Sequence, residues 1–213
     1  MIVAASLSQV VFLAVAVLAW GDWRAFFAHP VRVALVIVCM VLTVAGLAAG
    51  ATFSRGRRED ARDRWIFLPF ILGGILLVWL PPYLDSRDVL TLDGDAVRYA
   101  GLVVFTIGGV LRVGPIFTLG NRFSAFVAIQ EGHELVTEGW YRVIRHPSYL
   151  GALLIFLGWI LIFRCGPGLL LMPFAVWVVI ARINHEEALL ASEFGAPYAA
   201  YRGRTWRLVP RVY

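Results

Sequence analysis

Two short stretches carry most of the residues in this chain that can do chemistry. The first is Gly139-Trp140-Tyr141-Arg142-Val143-Ile144-Arg145-His146-Pro147-Ser148-Tyr149-Leu150-Gly151, a dense polar, charged and aromatic run between two apolar blocks. Pro147 suits the first position of a helix, where its missing N–H is no loss and its fixed φ fits. Arg145 and His146 then stand just before a helix N-terminus, with Ser148 and Tyr149 in its first turn. Free backbone N–H groups and the positive end of the helix dipole favour a carboxylate or phosphate at such a place. The plainer alternative is an interfacial anchor, with Arg, Trp and Tyr marking where a helix enters lipid.

The second stretch is Arg182-Ile183-Asn184-His185-Glu186-Glu187. Arg182 and Glu186 are four residues apart and share a helical face, so an ion pair worth roughly a few tenths of a kcal/mol would account for them. Two adjacent carboxylates beside a bilayer point instead to function, because ionisable groups there are expensive. A third run, Gln130-Glu131-Gly132-His133-Glu134-Leu135-Val136-Thr137-Glu138-Gly139, precedes the first. Its Leu135-Val136 pair reads as an extended piece offering backbone groups and a small apolar wall. His133, His146 and His185 lack helical ligand spacing, so no metal site is expected. No G-x-G-x-x-G follows a strand pattern, which argues against a Rossmann nucleotide site.

The elements that must position these residues are membrane helices. Of 213 residues, 60% are hydrophobic and only 15% charged, with a mean hydropathy of +0.78. Several apolar runs approach the ~20 residues that span a bilayer, so the chain reads as an all-α integral membrane protein. Its 19 basic residues are all Arg, and the net charge of +5 is spread among loops. That pattern sets topology and gives no reason to expect nucleic acid as a partner. Cys39 in an apolar run and Cys165 in a Gly/Pro turn suggest neither a disulfide framework nor a thiolate site.

Six membrane segments follow, at about 2–20, 31–53, 65–84, 97–119, 149–163 and 168–183. Arg55, Arg57, Arg58, Arg62 and Arg64 crowd one short connection and mark it as cytoplasmic. Both termini and the polar stretch 120–148 then face the cytoplasm, most simply across a bacterial inner membrane. The last two runs are slightly short and are joined by Arg164-Cys165-Gly166-Pro167-Gly168, which predicts a tight helical hairpin. Helix continues past Arg182 out of the membrane. Residues 1–213 read as one membrane domain, with motif-free spans over 1–64 and a core over 65–213. Gly101, Gly108, Gly109 and Gly114 read first as close helix packing, and second as room for a lipophilic chain.

The motifs in combination resemble the isoprenylcysteine carboxyl methyltransferase family. The resemblance rests on His133-x-Leu135-Val136-Thr137-x-Gly139-x-Tyr141, Arg145-His146-Pro147-Ser148-Tyr149-x-Gly151, Arg182-x-x-x-Glu186-Glu187 and Phe194-Gly195-x-x-Tyr198-x-x-Tyr201, over about residues 98–213. It implies an S-adenosyl-L-methionine-dependent methyltransferase with a cytoplasm-facing cofactor pocket. Carried over, Gln130, His133, Glu134, Leu135, Val136, Tyr141, His146, Pro147, Ser148, Tyr149 and Glu186 would line the cofactor site. Arg182, with Glu187 near it, would hold the substrate, and Arg182 and Glu186 would carry catalysis. The partner implied is a lipophilic or prenylated molecule bearing a carboxylate, reached among membrane lipids.

The chemistry is consistent with those residues. Methyl transfer from a sulfonium chiefly requires alignment of nucleophile and methyl group. A carboxylate is already ionised at neutral pH and needs a cation to orient it, which Arg182 can provide. A lipid-amine N-methyltransferase would instead want a base to deprotonate the amine. A reductase related to sterol reductases would need a basic pocket for NADPH. A non-catalytic scaffold would have no reason to gather His146, Arg182, Glu186 and Glu187.

Overall fold

The computed structural model describes residues 2–49, 64–119 and 135–213. Nine α-helices occur among them: α1 Ile2–Trp20, α2 Trp23–Phe27, α3 Pro30–Ala48, α4 Arg64–Asp85, α5 Asp95–Leu119, α6 Pro147–Ile162, α7 Gly166–Leu169, α8 Met172–Phe194 and α9 Ala196–Gly203. Among the described residues there is no extended strand, only isolated bridges between Thr91 and Cys165 and between Ile144 and Trp206. The all-helical reading holds. Three helical stretches there are long and apolar enough to cross a membrane, Pro30–Ala48, Asp95–Thr118 and Gly166–Phe194, while Leu7–Trp20 and Pro147–Ile162 are shorter apolar helices.

Local chemistry sets several helix starts. Asp22 caps α2 by accepting from Arg24 N at 2.8 Å. His29 Nδ1 caps α3 by accepting from Val31 N at 3.2 Å, with Pro30 in the first helical position. Pro147 begins α6 in the same way, with His146 as its cap residue. Helix α4 runs through Pro81-Pro82 to Asp85, close to the expected end of the 65–84 segment. Proline at 81 deprives the Leu77 carbonyl of its usual helical donor. The indole N–H of Trp159, from α6, donates to that carbonyl at 3.0 Å and replaces it.

The helix pair that frames the site is α5 against α6, and glycines set its closeness. A Cβ added at Gly101 would fall 2.5 Å from Ile162 N, and one at Gly158 would fall 2.5 Å from Phe105 N. One turn-pair further along, a Cβ at Gly108 would lie 2.6 Å from Ile155 N, and one at Gly151 2.6 Å from Gly108 O. Two glycines on each helix thus face the other helix's backbone, so the chains meet main chain to main chain. This decides between the two readings of Gly101 and Gly108 in favour of packing. Gly109 meets the Leu42 side chain of α3, and Gly114 lies under the Trp140 indole. The chain does turn back after α6 through α7 into α8, yet the broad contact of α6 is with α5 and not with α8.

An aromatic core holds the N-terminal helices to this pair. Trp159, Phe105 and Phe163 pack with Phe26, Val31, Leu35 and Cys39, and Phe12 lies 4.8 Å from the Trp159 ring. The two ends of α6, about 24 Å apart at the helical rise, are both polar. At the end remote from His146, Arg98 grips Asp85 with two nitrogens, at 2.5 and 2.9 Å, and also donates to Ile162 O at 3.0 Å. Arg164 Nε adds a third bond to Asp85 at 2.9 Å. That carboxylate has no exposed surface.

Candidate active site

The near end of α6 gathers the motif residues. His146 caps the helix, and its carbonyl accepts from Tyr149 N and Leu150 N at 3.1 and 3.3 Å. Ser148 and Tyr149 fall in the first turn, as their distance from Pro147 predicts. The Tyr149 hydroxyl donates to Glu186 Oε2 at 2.7 Å and accepts from Arg182 Nε at 2.7 Å. A phenol from α6 therefore stands between a carboxylate and a guanidinium of α8. His146 Nδ1 lies 3.9 Å from Glu186 Oε1, too long for a direct hydrogen bond.

The two adjacent carboxylates have different surroundings. Glu186 is partly exposed, its side chain retaining 31% of its accessible surface. Glu187 retains 5% and is held from three sides. Its Oε1 accepts from Arg145 Nε at 3.1 Å and faces His146 Nε2 at 3.2 Å, while Oε2 accepts from Arg207 Nη2 at 2.8 Å. Burial alone would lower the Arg207 pKa, but the hydrogen bonds and charges of Glu187 and Tyr213 together outweigh it and hold the guanidinium above its ordinary value. Burial pushes the Tyr198 phenol up to about 12. Tyr198 therefore stays protonated at neutral pH, and its buried hydroxyl has no hydrogen-bond partner among the described residues.

The connection before α6 is held by the C-terminal tail. Arg145 N donates to Trp206 O at 2.7 Å, His146 N to Arg207 O at 3.1 Å, and Trp206 N to Val143 O at 2.9 Å. The Tyr201 hydroxyl donates to Tyr141 O at 2.8 Å. Within the connection, Gly139–Arg142 form a short 3-10 turn. Gly139 there has φ +58 and an added Cβ would be 3.2 Å from Thr118, so a side chain is disfavoured on both counts.

His146, Pro147, Ser148, Tyr149, Arg182, Glu186 and Glu187 are thus brought to one place. Leu135 and Val136 lie in the irregular lead-in to the turn that carries Tyr141. Gln130, His133 and Glu134 lie outside the described residues. Three arginines escaped sequence reasoning. Arg112 of α5 donates from Nη1 to Ser148 Oγ at 2.7 Å, one residue before Tyr149. Its signal was available, since a lone charge deep in an apolar span is a functional pointer. Arg145 stood next to His146 without a role. Arg207 gave no sign, because only the fold brings the tail back to α8.

Residues 100–192 match the model of the isoprenylcysteine carboxyl methyltransferase (ICMT) family. Over that region the family resemblance holds. The matched segment spans most of α5, all of α6 and nearly all of α8, hence every motif residue of α6 and α8 described above. Protein-S-isoprenylcysteine O-methyltransferase B of Arabidopsis thaliana is 38% identical over 116 residues, 53% of this chain and 58% of that protein. The chain thus matches less than two thirds of the length of this plant relative. A Delta(14)-sterol reductase of Methylotuvimicrobium alcaliphilum is 26% identical over 126 residues, 55% of this chain but 29% of that protein. Among solved structures, a eukaryotic intramembrane Ras methyltransferase, ICMT, superposes with a TM-score of 0.51 at 20% identity, over 97% of this chain and 86% of that one. This likeness concerns the fold: an ICMT-like, all-helical integral membrane protein.

Proposed function

We propose that this protein transfers a methyl group from S-adenosyl-L-methionine to the carboxylate of a lipophilic, isoprenylcysteine-like molecule at the cytoplasmic membrane face. The observation that carries the reading is the Arg182–Tyr149–Glu186 chain, which sets a cation and a carboxylate side by side inside the family-matched region. In this reading residues 1–213 form one membrane domain, six segments cross or enter a bacterial inner membrane, and both termini are cytoplasmic.

The donor set fits the cofactor. Glu186, partly exposed and with Oε1 still available, can accept from an ammonium or from ribose hydroxyls. The start of α6, around His146, Pro147 and Ser148, suits a carboxylate through the helix dipole. Leu135, Val136 and Tyr141, with Gln130, His133 and Glu134 preceding them, complete the proposed lining. When bound, the cofactor supplies an electrophilic methyl group on a sulfonium. The protein's part is alignment, since the acceptor carboxylate is already ionised and no base is required. Arg182 orients that carboxylate as a planar fork, held by Tyr149, and Arg112 adds a second positive charge nearby. Glu187 has both oxygens engaged by three neighbours, so it meets the substrate carboxylate only as a neighbour of the site and not as a direct partner.

A lipid-amine N-methyltransferase would need a base aimed at an amine, and two arginines here favour an anionic acceptor instead. The similarity to a sterol reductase keeps an NADPH-dependent reduction as the second reading. Calorimetric titration of the detergent-purified protein separates them. S-adenosylhomocysteine is expected to bind saturably, with binding weakened by His146→Ala and by Glu186→Ala. Binding of NADPH in its place would overturn the methyltransferase reading.

A further inference from the structure

We propose that the C-terminal tail is a working part of the site, with Arg207 and Glu187 as positioning residues that hold His146 for cofactor binding. The inference rests on the methyltransferase reading. It goes beyond that reading at Arg207, which lies outside the family-matched region ending at 192.

Glu187 has both oxygens occupied. Arg145 and His146 share Oε1, and Arg207 takes Oε2 at 2.8 Å. A buried carboxylate left with an unmatched charge is strongly unfavourable, so two guanidiniums are what make this position tenable. The bond from His146 Nε2 to Glu187 fixes the imidazole plane and places the ring proton on Nε2. Nδ1 is then the nitrogen turned toward Glu186 Oε1, 3.9 Å away. Two acceptors converge there, a geometry suited to an N–H or O–H group of a ligand between them. Glu187 sets that geometry without reaching the ligand itself.

Arg207 anchors Glu187 because the tail is fastened independently. Its own carbonyl accepts from His146 N at 3.1 Å, and Nη2 also donates to Asn184 Oδ1 at 2.6 Å. One tail residue therefore touches both halves of the site, the backbone before α6 and the polar face of α8. A bare staple would need only one of these contacts. Placing the same residue on both couples the spacing of α6 and α8 to the orientation of the ring.

The test uses the full chain in detergent and compares wild type with Arg207→Met, Arg207→Lys and Glu187→Gln. S-adenosylhomocysteine affinity is measured by calorimetry, steady-state KM and kcat with an N-acetylated S-farnesylcysteine as acceptor, and thermal unfolding alongside. Arg207→Met is expected to weaken S-adenosylhomocysteine binding about tenfold or more, the size of a lost charge-assisted hydrogen bond. The acceptor KM should stay within about twofold, and Arg207→Lys should recover most of the affinity. Glu187→Gln should behave like Arg207→Met. Should Arg207→Met fail to fold, Glu187→Gln, which keeps the shape and hydrogen-bonding capacity of the side chain, gives the same comparison, and wild-type affinity there overturns the proposal. Wild-type affinity in folded Arg207→Met, or a parallel rise in both KM values, overturns the proposal and leaves the tail a structural staple. A wild type that binds no S-adenosylhomocysteine overturns the methyltransferase reading instead, and this inference with it.

Discussion

Tyr149 and Glu186 are joined by a 2.7 Å hydrogen bond from phenol to carboxylate, across the gap between α6 and α8. The same oxygen receives Arg182 Nε at 2.7 Å, so one hydroxyl sets the position of two charged side chains. Tyr149→Phe removes the oxygen and keeps the ring. Methyl transfer measured with a farnesylated cysteine acceptor should fall about tenfold to a hundredfold, the range for hydrogen bonds to charged groups. Unchanged kcat/KM in the Phe variant would show that the hydroxyl orients nothing.

Arg182 and Glu186 should separate by function. Arg182→Ala is expected to leave S-adenosylhomocysteine affinity close to wild type while turnover drops by at least about tenfold, as loss of a carboxylate-orienting cation requires. Calorimetry and initial rates on the same preparation decide it. Normal turnover removes Arg182 from substrate binding.

The glycine seam makes a prediction about stability. Gly151→Ala places a methyl group 2.6 Å from Arg112 N and Gly108 O, both backbone atoms that cannot turn aside. Overpacking of this kind costs about 2 kcal/mol. Gly46→Ala in α3 has nothing within 4 Å of the new methyl and should be neutral or gain about 0.5 kcal/mol in helix propensity. Thermal unfolding in one detergent compares the pair. Equal midpoints would mean that α5 and α6 can spread.

Asp85 tests the far end. Its side chain has no exposure and balances Arg98 and Arg164, whose own side chains are 7% and 17% exposed. Asp85→Asn removes the buried carboxylate shared by two guanidiniums, leaving them only the exposed Asp95 and Asp88, and should destabilise the fold by about 3 kcal/mol. Activity per folded molecule should be retained, because α6 separates this cluster from His146. Selective loss of cofactor affinity with stability intact would contradict that separation.

Much of the architecture is written in local signals. Proline at 147 and at 30 announces a helix start, because it occupies a position with no donor to lose. The apolar runs mark the helices, and Arg182 to Glu187 continue α8 as their spacing predicts. Motif residues converge because α6 and α8 both expose their polar ends at the same side. Less visible is anything that depends on a distant partner. Nothing near Pro81 says that Trp159, 78 positions later, will satisfy the carbonyl at Leu77. Nothing around Arg207 names Glu187 as its counter-ion. The difference between Glu186 and Glu187 is likewise absent from their order in the chain, since it arises from which carboxylate the tail and the preceding loop enclose.

The contact between α5 and α6 also bears on how a greasy molecule reaches the site. With backbone pressed to backbone at Gly101, Gly108, Gly151 and Gly158, the two helices behave as one rigid beam with no slot along its seam. Under the proposed function, a hydrocarbon tail sliding in from the bilayer would use a different flank. The neighbours of the beam would then form the doorway, while the glycine seam fixes α5, with Arg112, against α6, with Tyr149.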